Sequence, residues 1–211
     1  MRVVGGEWRG RPLTSAASSA TRPTSDKVRE AVFDVLFALL AAPAPADVAA
    51  RDETAIGDAP FAPGAIGLLA GITALDLFAG SGALGIEALS RGASRCVFVE
   101  NAPPALKSLR TNLARLQVDA ARGRVVAADF RRALRHDARS GNRYNLVFVD
   151  PPYVAYREVE LDLSVLLERV LAPGALVVVE TGKGESVRLP LSSLRAKLYG
   201  DTLVTFMEAG S

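Results

Sequence analysis

Cysteine and histidine are almost absent from this sequence, with one of each in 211 residues. A single thiol excludes an internal disulfide framework, and one imidazole leaves the Cys/His ligand sets of zinc sites without members. Cys96 lies inside an apolar run and is expected to be buried, while His136 has no partner at ligand spacing and is expected on the surface. Nucleophilic catalysis by Cys or Ser with a histidine base therefore has little support. Long apolar runs are also missing: although mean hydropathy is positive, no stretch approaches the roughly 18 uninterrupted apolar residues of a membrane-spanning helix. The opening Met1-Arg2-Val3-Val4-Gly5-Gly6 lacks the apolar core of a secretory signal. These deficits point to a soluble protein in a reducing cytoplasm, without a metal site or internal repeat.

What is present suffices for one well-buried core, since 49% of the residues are hydrophobic and 23% charged. The net charge of +2 hides an uneven distribution. Lys107 to Arg143 holds ten Lys or Arg against three Asp, and Met1 to Arg22 holds four Arg against one Glu. Such clusters suit a phosphate-backbone partner, or else form solvated helix faces.

Along the chain, residues 2–13 read as two short strands around a glycine turn, a basic hairpin with Trp8 among arginines. Pro23-Thr24-Ser25-Asp26 supplies a helix start, and Val28, Val32, Val35, Leu36 and Leu39 give helical spacing to about Ala41. The stretch Ala42 to Gly71, with four prolines, reads as a long loop. Apolar runs then recur at Ala74 to Phe78, Cys96 to Val99, Val125 to Ala128, Leu146 to Val149 and Leu176 to Val179, alternating with helical stretches near 83–91, 103–116, 130–138 and 158–171. Strands alternating with helices imply a parallel sheet covered on both faces. Ala196 to Tyr199 and Leu203 to Met207, separated by Gly200-Asp201, read as a closing antiparallel hairpin. The expected fold is α/β and Rossmann-like: a seven-stranded, mostly parallel sheet of the class I S-adenosylmethionine methyltransferase type.

Two motifs sit at strand ends. In Asp76-Leu77-Phe78-Ala79-Gly80-Ser81-Gly82-Ala83-Leu84-Gly85, glycines let the backbone approach a ligand at a helix amino terminus. Gly80-x-Gly82-x-x-Gly85 also fits a dinucleotide fingerprint. A carboxylate such as Asp76 ahead of the glycines would repel a pyrophosphate and attract an ammonium, which favours the methionine end of S-adenosylmethionine. Glu100 closes the next strand and suits ribose hydroxyls; Asp129 and Phe130 close the third and suit adenine, although Asp129 is also placed to cap a helix. Asp150-Pro151-Pro152-Tyr153 follows the fourth strand. The Asp150 carboxylate and the Pro151 carbonyl can accept both hydrogens of a base amine and re-aim its lone pair, Pro152 keeps the backbone extended, and Tyr153 can stack on the base. An ordinary Asp-Pro turn is the plainer alternative.

Over nearly its whole length the sequence resembles the RsmD-type methyltransferases, which modify the exocyclic N2 of a guanine in small-subunit ribosomal RNA. The resemblance runs through Arg2 to Leu13, Thr21 to Phe33, Asp76 to Arg91 and Asp150 to Tyr153. It implies that Asp76, Phe78, Gly80, Ser81, Gly82, Glu100, Asn101, Asp129 and Phe130 contact S-adenosylmethionine, with Arg22 and Thr24 closing over its methionine end. It further implies that Asp150 to Tyr153 hold the guanine, and that Arg2, Trp8, Arg9 and Arg11 grip RNA. The organisation so implied is a basic β-hairpin extension over 1–22 and a methyltransferase domain over 23–211. The expected partner is 16S rRNA, in the small subunit or its assembly intermediate, and the expected state a monomer. The stretch from 42 to 71 is longer than the family's usual link. A DNA adenine-N6 methyltransferase with the same tetrapeptide and a non-catalytic ribosome assembly factor are the competing readings.

Overall fold

Short apolar runs rich in β-branched residues form strands where both faces are covered, and the helical stretches between them supply the cover. In the computed structural model, which describes residues 1–15, 25–41, 67, 69–152 and 156–210, this produces α1 (Asp26–Ala41), β1 (Thr73–Leu77), α2 (Ala83–Ser90), β2 (Arg95–Glu100), α3 (Pro103–Arg115), β3 (Gly123–Ala127) and α4 (Phe130–Arg139). They are followed by β4 (Tyr144–Val149), α5 (Tyr156–Leu166), β5 (Leu171–Gly182), β6 (Ser192–Tyr199) and β7 (Thr202–Glu208). The seven strands form one sheet in the order β3-β2-β1-β4-β5-β7-β6. The first five run parallel, and β7 pairs antiparallel with both β5 and β6. From β1 the chain winds outward through β2 and β3, then returns to β4 on the other side. The carboxyl edge of β1 and β4 is therefore the switch point where such sheets form a ligand crevice.

The Rossmann-like expectation is met, with shifted boundaries. The expected helix at 158–171 ends at Leu166, and Leu171 already pairs with Tyr144. The pairing then slips, so that Leu146 lies opposite Leu176. Pro173-Gly174 sits in that slip, with Gly174 at a φ of 66°. Proline cannot donate to a ladder and glycine tolerates left-handed backbone, so the strand bulges there and resumes. Cys96 is fully buried and His136 exposed, as read from the sequence. No helix among the described residues is long and apolar enough to cross a membrane. Most of the loop expected from Ala42 to Gly71 lies outside the described residues.

Strand alternation sorts the core into two layers. Ala74, Cys96, Phe98, Leu146, Phe148, Leu176 and Val178 face a cluster completed by α1, α2 and α3. Leu75, Leu77, Val97, Val99, Val147, Val149, Val177 and Val179 face the cluster completed by α4 and α5.

The amino-terminal segment joins the first layer. Its two arms meet at one bridge, Arg2 with Pro12, backed by Val3 N–H donating to Arg11 O and Leu13 N–H to Met1 O, each at 3.0 Å. Strand pairing is thus shorter than two expected strands suggest. Val3, Trp8 and Leu13 are buried in the same cluster as α1 to α3. Where the sequence suggested an appended hairpin, the described residues of the segment complete the main core.

Candidate functional site

Four adjacent strands, β2, β1, β4 and β5, carry an acidic residue two positions beyond an apolar residue of the first layer. Glu100 follows Phe98, Asp76 follows Ala74, Asp150 follows Phe148 and Glu180 follows Val178. A period of two places all four carboxylates on one face at the carboxyl edge. Asp76 lies opposite Phe98 and Phe148, one pleat deeper than the others. Val149 pairs with Val179, so Asp150 and Glu180 are the next residues along neighbouring strands. The sequence reading missed Glu180, whose signal was present: like Glu100 and Asp150, it is an acid at the end of an apolar run.

Asp76 is 2% exposed, and Gly85 N–H donates to its Oδ2 at 2.9 Å. From its strand it thus satisfies one of the amide groups that the first turn of α2 leaves without a helical partner. Burial pushes its carboxyl up to about 8; the nearby Asp150 and Glu100 charges push the same way, against the lowering effect of the Gly85 N–H. Glu100 is 9% exposed and holds three amides, accepting from Gly80 N–H through one oxygen and from Asn101 and Ala102 N–H through the other, each at 2.8 Å.

The loop between β1 and α2 is tightly coiled. Phe78, Gly80 and Gly82 have φ of 61°, 55° and 81°, a region that a phenylalanine occupies at a cost. A Cβ on Gly82 would meet Leu109 Cδ1 at 2.4 Å, and one on Gly85 would meet Cys96 Sγ at 2.6 Å. Glycine at 85 lets α2 settle against β1 and β2, and glycine at 82 makes room for α3, which leaves the loop backbone at the crevice. Ser81, half-buried, offers its carbonyl to Asn112 Nδ2 at 2.9 Å.

Asp129 does cap α4, accepting from Arg131 N–H at 2.9 Å. Phe130 is 4% exposed, with its ring 5.0 Å from that of Phe78 and the Arg131 guanidinium 4.5 Å from its centroid. Half-buried Phe78 therefore reaches solvent where Phe130 does not. Pro151 is buried and Asp150 and Pro152 half-buried; Tyr153, Arg22 and Thr24 lie outside the described residues.

Arg2, Arg9 and Arg11 are exposed along the amino-terminal segment. Trp8, expected to grip RNA with them, is 8% exposed and sits in the core. The Arg122 guanidinium lies 5.3 Å from its ring centroid. In this arrangement the indole anchors the segment, and its faces are withdrawn from a nucleic-acid base.

A family profile described as conserved hypothetical protein 95, that of the RsmD-type proteins, matches residues 1–208. The chain belongs to this family. Among RsmD-type relatives, the Escherichia coli K12 protein named ribosomal RNA small subunit methyltransferase D is 38% identical over 153 residues, covering 72% of this chain and 60% of that protein. The Haemophilus influenzae protein of the same name is 30% identical over 194 residues, covering 90% of this chain and 83% of that one. A solved Escherichia coli structure, "Putative methyltransferase yhhF", superposes with a TM-score of 0.73 at 31% identity, covering 100% of this chain and 98% of its own. The RsmD-type fold is that of the class I methyltransferases, including the closing antiparallel hairpin.

Proposed function

We propose that this chain transfers a methyl group from S-adenosylmethionine to the exocyclic N2 of a guanine in 16S rRNA, within the small ribosomal subunit or its assembly intermediate. The observation that carries the reading is the row of carboxylates at the switch point, with Asp150-Pro151-Pro152 at its centre and the glycine loop beside it. Asp76, whose carboxyl is held protonated by burial and by the neighbouring Asp150 and Glu100 charges, makes a site that a cation relieves, which fits a ligand bearing a sulfonium and an ammonium. The names of the relatives support ribosomal RNA as the acceptor.

When bound, the cofactor supplies an already activated methyl group. Glu100 and the loop that it holds would take the ribose, and Phe78 the adenine. Asp150 and the Pro151 carbonyl accept the two hydrogens of the guanine amine, which turns the nitrogen lone pair toward the methyl carbon. On methylation the guanine amine would give up one proton, toward Asp150 or solvent. In-line positioning supplies most of the acceleration. Arg2, Arg9 and Arg11 supply contacts to the RNA backbone.

The test is transfer of labelled methyl from S-adenosylmethionine to deproteinised rRNA, isolated small subunits and duplex DNA, followed by nucleoside analysis. N2-methylguanosine in the rRNA or subunit reactions is expected, and label confined to DNA adenine would refute the reading. Asp150→Ala should lower turnover by at least about a hundredfold, as loss of a transition-state contact does, while S-adenosylhomocysteine affinity stays within a few-fold.

A further inference from the structure

Between the cofactor loop and the amino-terminal segment stands one side chain that neither motif includes. Asn112, on α3, is fully buried, and its amide is used at both ends. Oδ1 accepts Thr14 N–H at 2.8 Å, while Nδ2 donates to Thr14 O and to Ser81 O, each at 2.9 Å. Toward Thr14 it acts as a strand neighbour would, pairing with donor and acceptor of one residue. Toward Ser81 it fixes a peptide between two left-handed residues, Gly80 and Gly82. The other fastenings of this loop are Ala79 N–H to Val99 O at 3.0 Å and Gly80 N–H to Glu100, both on β2, and, within the loop, Gly82 N–H to Ala79 O at 2.6 Å. Asn112 alone among the described contacts of Ser81 reaches the amino-terminal segment.

We infer that Asn112 is a positioning residue that holds the cofactor loop in its binding conformation and ties that conformation to the placement of the amino-terminal segment. A buried amide with two carbonyls and one N–H at hydrogen-bond distance cannot release one partner cheaply, because a buried polar group left without its bond costs on the order of a full desolvation penalty. Order at Ser81 and order at Thr14 are therefore linked through the same side chain. Linkage is reciprocal: a ligand that rigidifies the loop also rigidifies Thr14, and a partner that holds the segment favours the ligand-ready loop. Aspartate at this position keeps the size and the acceptor toward Thr14 N–H, but sets a carboxylate oxygen against two carbonyls. Both donations are lost, and repulsion between the buried carboxylate and the two carbonyls takes their place.

This inference rests on S-adenosylmethionine being the cofactor, so the probe is its unreactive product, S-adenosylhomocysteine. Calorimetry on the full chain gives affinity, and amide hydrogen exchange with and without the ligand gives order. In the wild-type protein, ligand should slow exchange in the 79–82 loop and also at Leu13 and Thr14. Asn112→Asp should bind about tenfold more weakly or worse, and at saturating ligand its loop should gain protection while Thr14 does not. A purely structural side chain would lower the melting temperature without separating those two signals. Wild-type protein that binds the ligand with no change at Thr14, or Asn112→Asp with unchanged affinity, would overturn the inference; wild-type protein that binds none would overturn the cofactor reading as well. The wild-type comparison decides the matter even where the variant fails to fold.

Discussion

A carboxyl group that titrates near 8 binds its proton more tightly in the folded chain than in the unfolded one, and Asp76 is in that position. Between the ordinary carboxylate range and about pH 8 the folded state carries the extra proton, so the group's contribution to stability falls as pH rises. Relative to Asp76→Asn, the wild-type protein should lose about 1.4 kcal/mol per pH unit across pH 5 to 8, read by urea unfolding of both proteins. A bound cation favours the carboxylate, so saturating S-adenosylmethionine should flatten that slope. A flat difference without ligand would show that Asp76 is ionised throughout. The place of this carboxylate on a strand just ahead of the glycine loop was legible in the sequence, but its bond to Gly85 N–H was not, because that contact depends on how closely α2 packs on β1. Trp8 shows the same limit: a tryptophan among arginines reads as a base platform until the core that receives it is known.

At the level of elements, α1 and α2 are joined by charges that the apolar pattern could not reveal. Glu87, on α2 and without exposed surface, lies 2.7 Å from Arg91 Nε and 3.6 Å from Arg29 Nε of α1, and accepts Val4 N–H at 2.9 Å. Arg29, equally buried, also donates to the Arg2 carbonyl and to Asp26. The Arg91 guanidinium lies 5.0 and 5.2 Å from the ring centroids of Phe33 and Phe37. Removing the shared anion would leave two cations facing each other in a low-dielectric layer. Glu87→Ala should cost about 3 to 5 kcal/mol in denaturant unfolding and expose the amino-terminal segment to limited proteolysis; a loss under about 1 kcal/mol would mean that water reaches the cluster. The strands and helices themselves were legible because period-two and period-3.6 patterns report burial directly. Their ends were not, since the Pro173-Gly174 bulge and the stop of α5 depend on pairing with β4.

For the molecule as a whole, the small net charge conceals two basic regions, and the fold gives each a place. Residues 107–143 span α3, β3 and α4, at the end of the sheet where β3 is the edge strand. The exposed Arg9 and Arg11 lie on the segment that α2 and α3 hold, and Glu7, next to the buried Trp8, pairs with Arg122 across 3.6 Å. If these arginines meet phosphates, the logarithm of the affinity for a ribosomal RNA fragment should fall linearly with the logarithm of salt concentration. The double replacement Arg9→Ala and Arg11→Ala should then reduce the slope by about 1.4 to 1.8. An unchanged slope would place the RNA elsewhere. The segment bearing these arginines also has a history fixed by its contacts. Its anchors lie far down the chain: Trp8 N–H donates to Ser90 Oγ across 82 positions, and Thr14 reaches Asn112 across 98. At about 5 to 20 residues per second of synthesis, this segment waits roughly 5 to 20 seconds for the helices that receive it. Throughout that interval Trp8 lacks the partners that bury it, and the segment can dock only once α3 has been made.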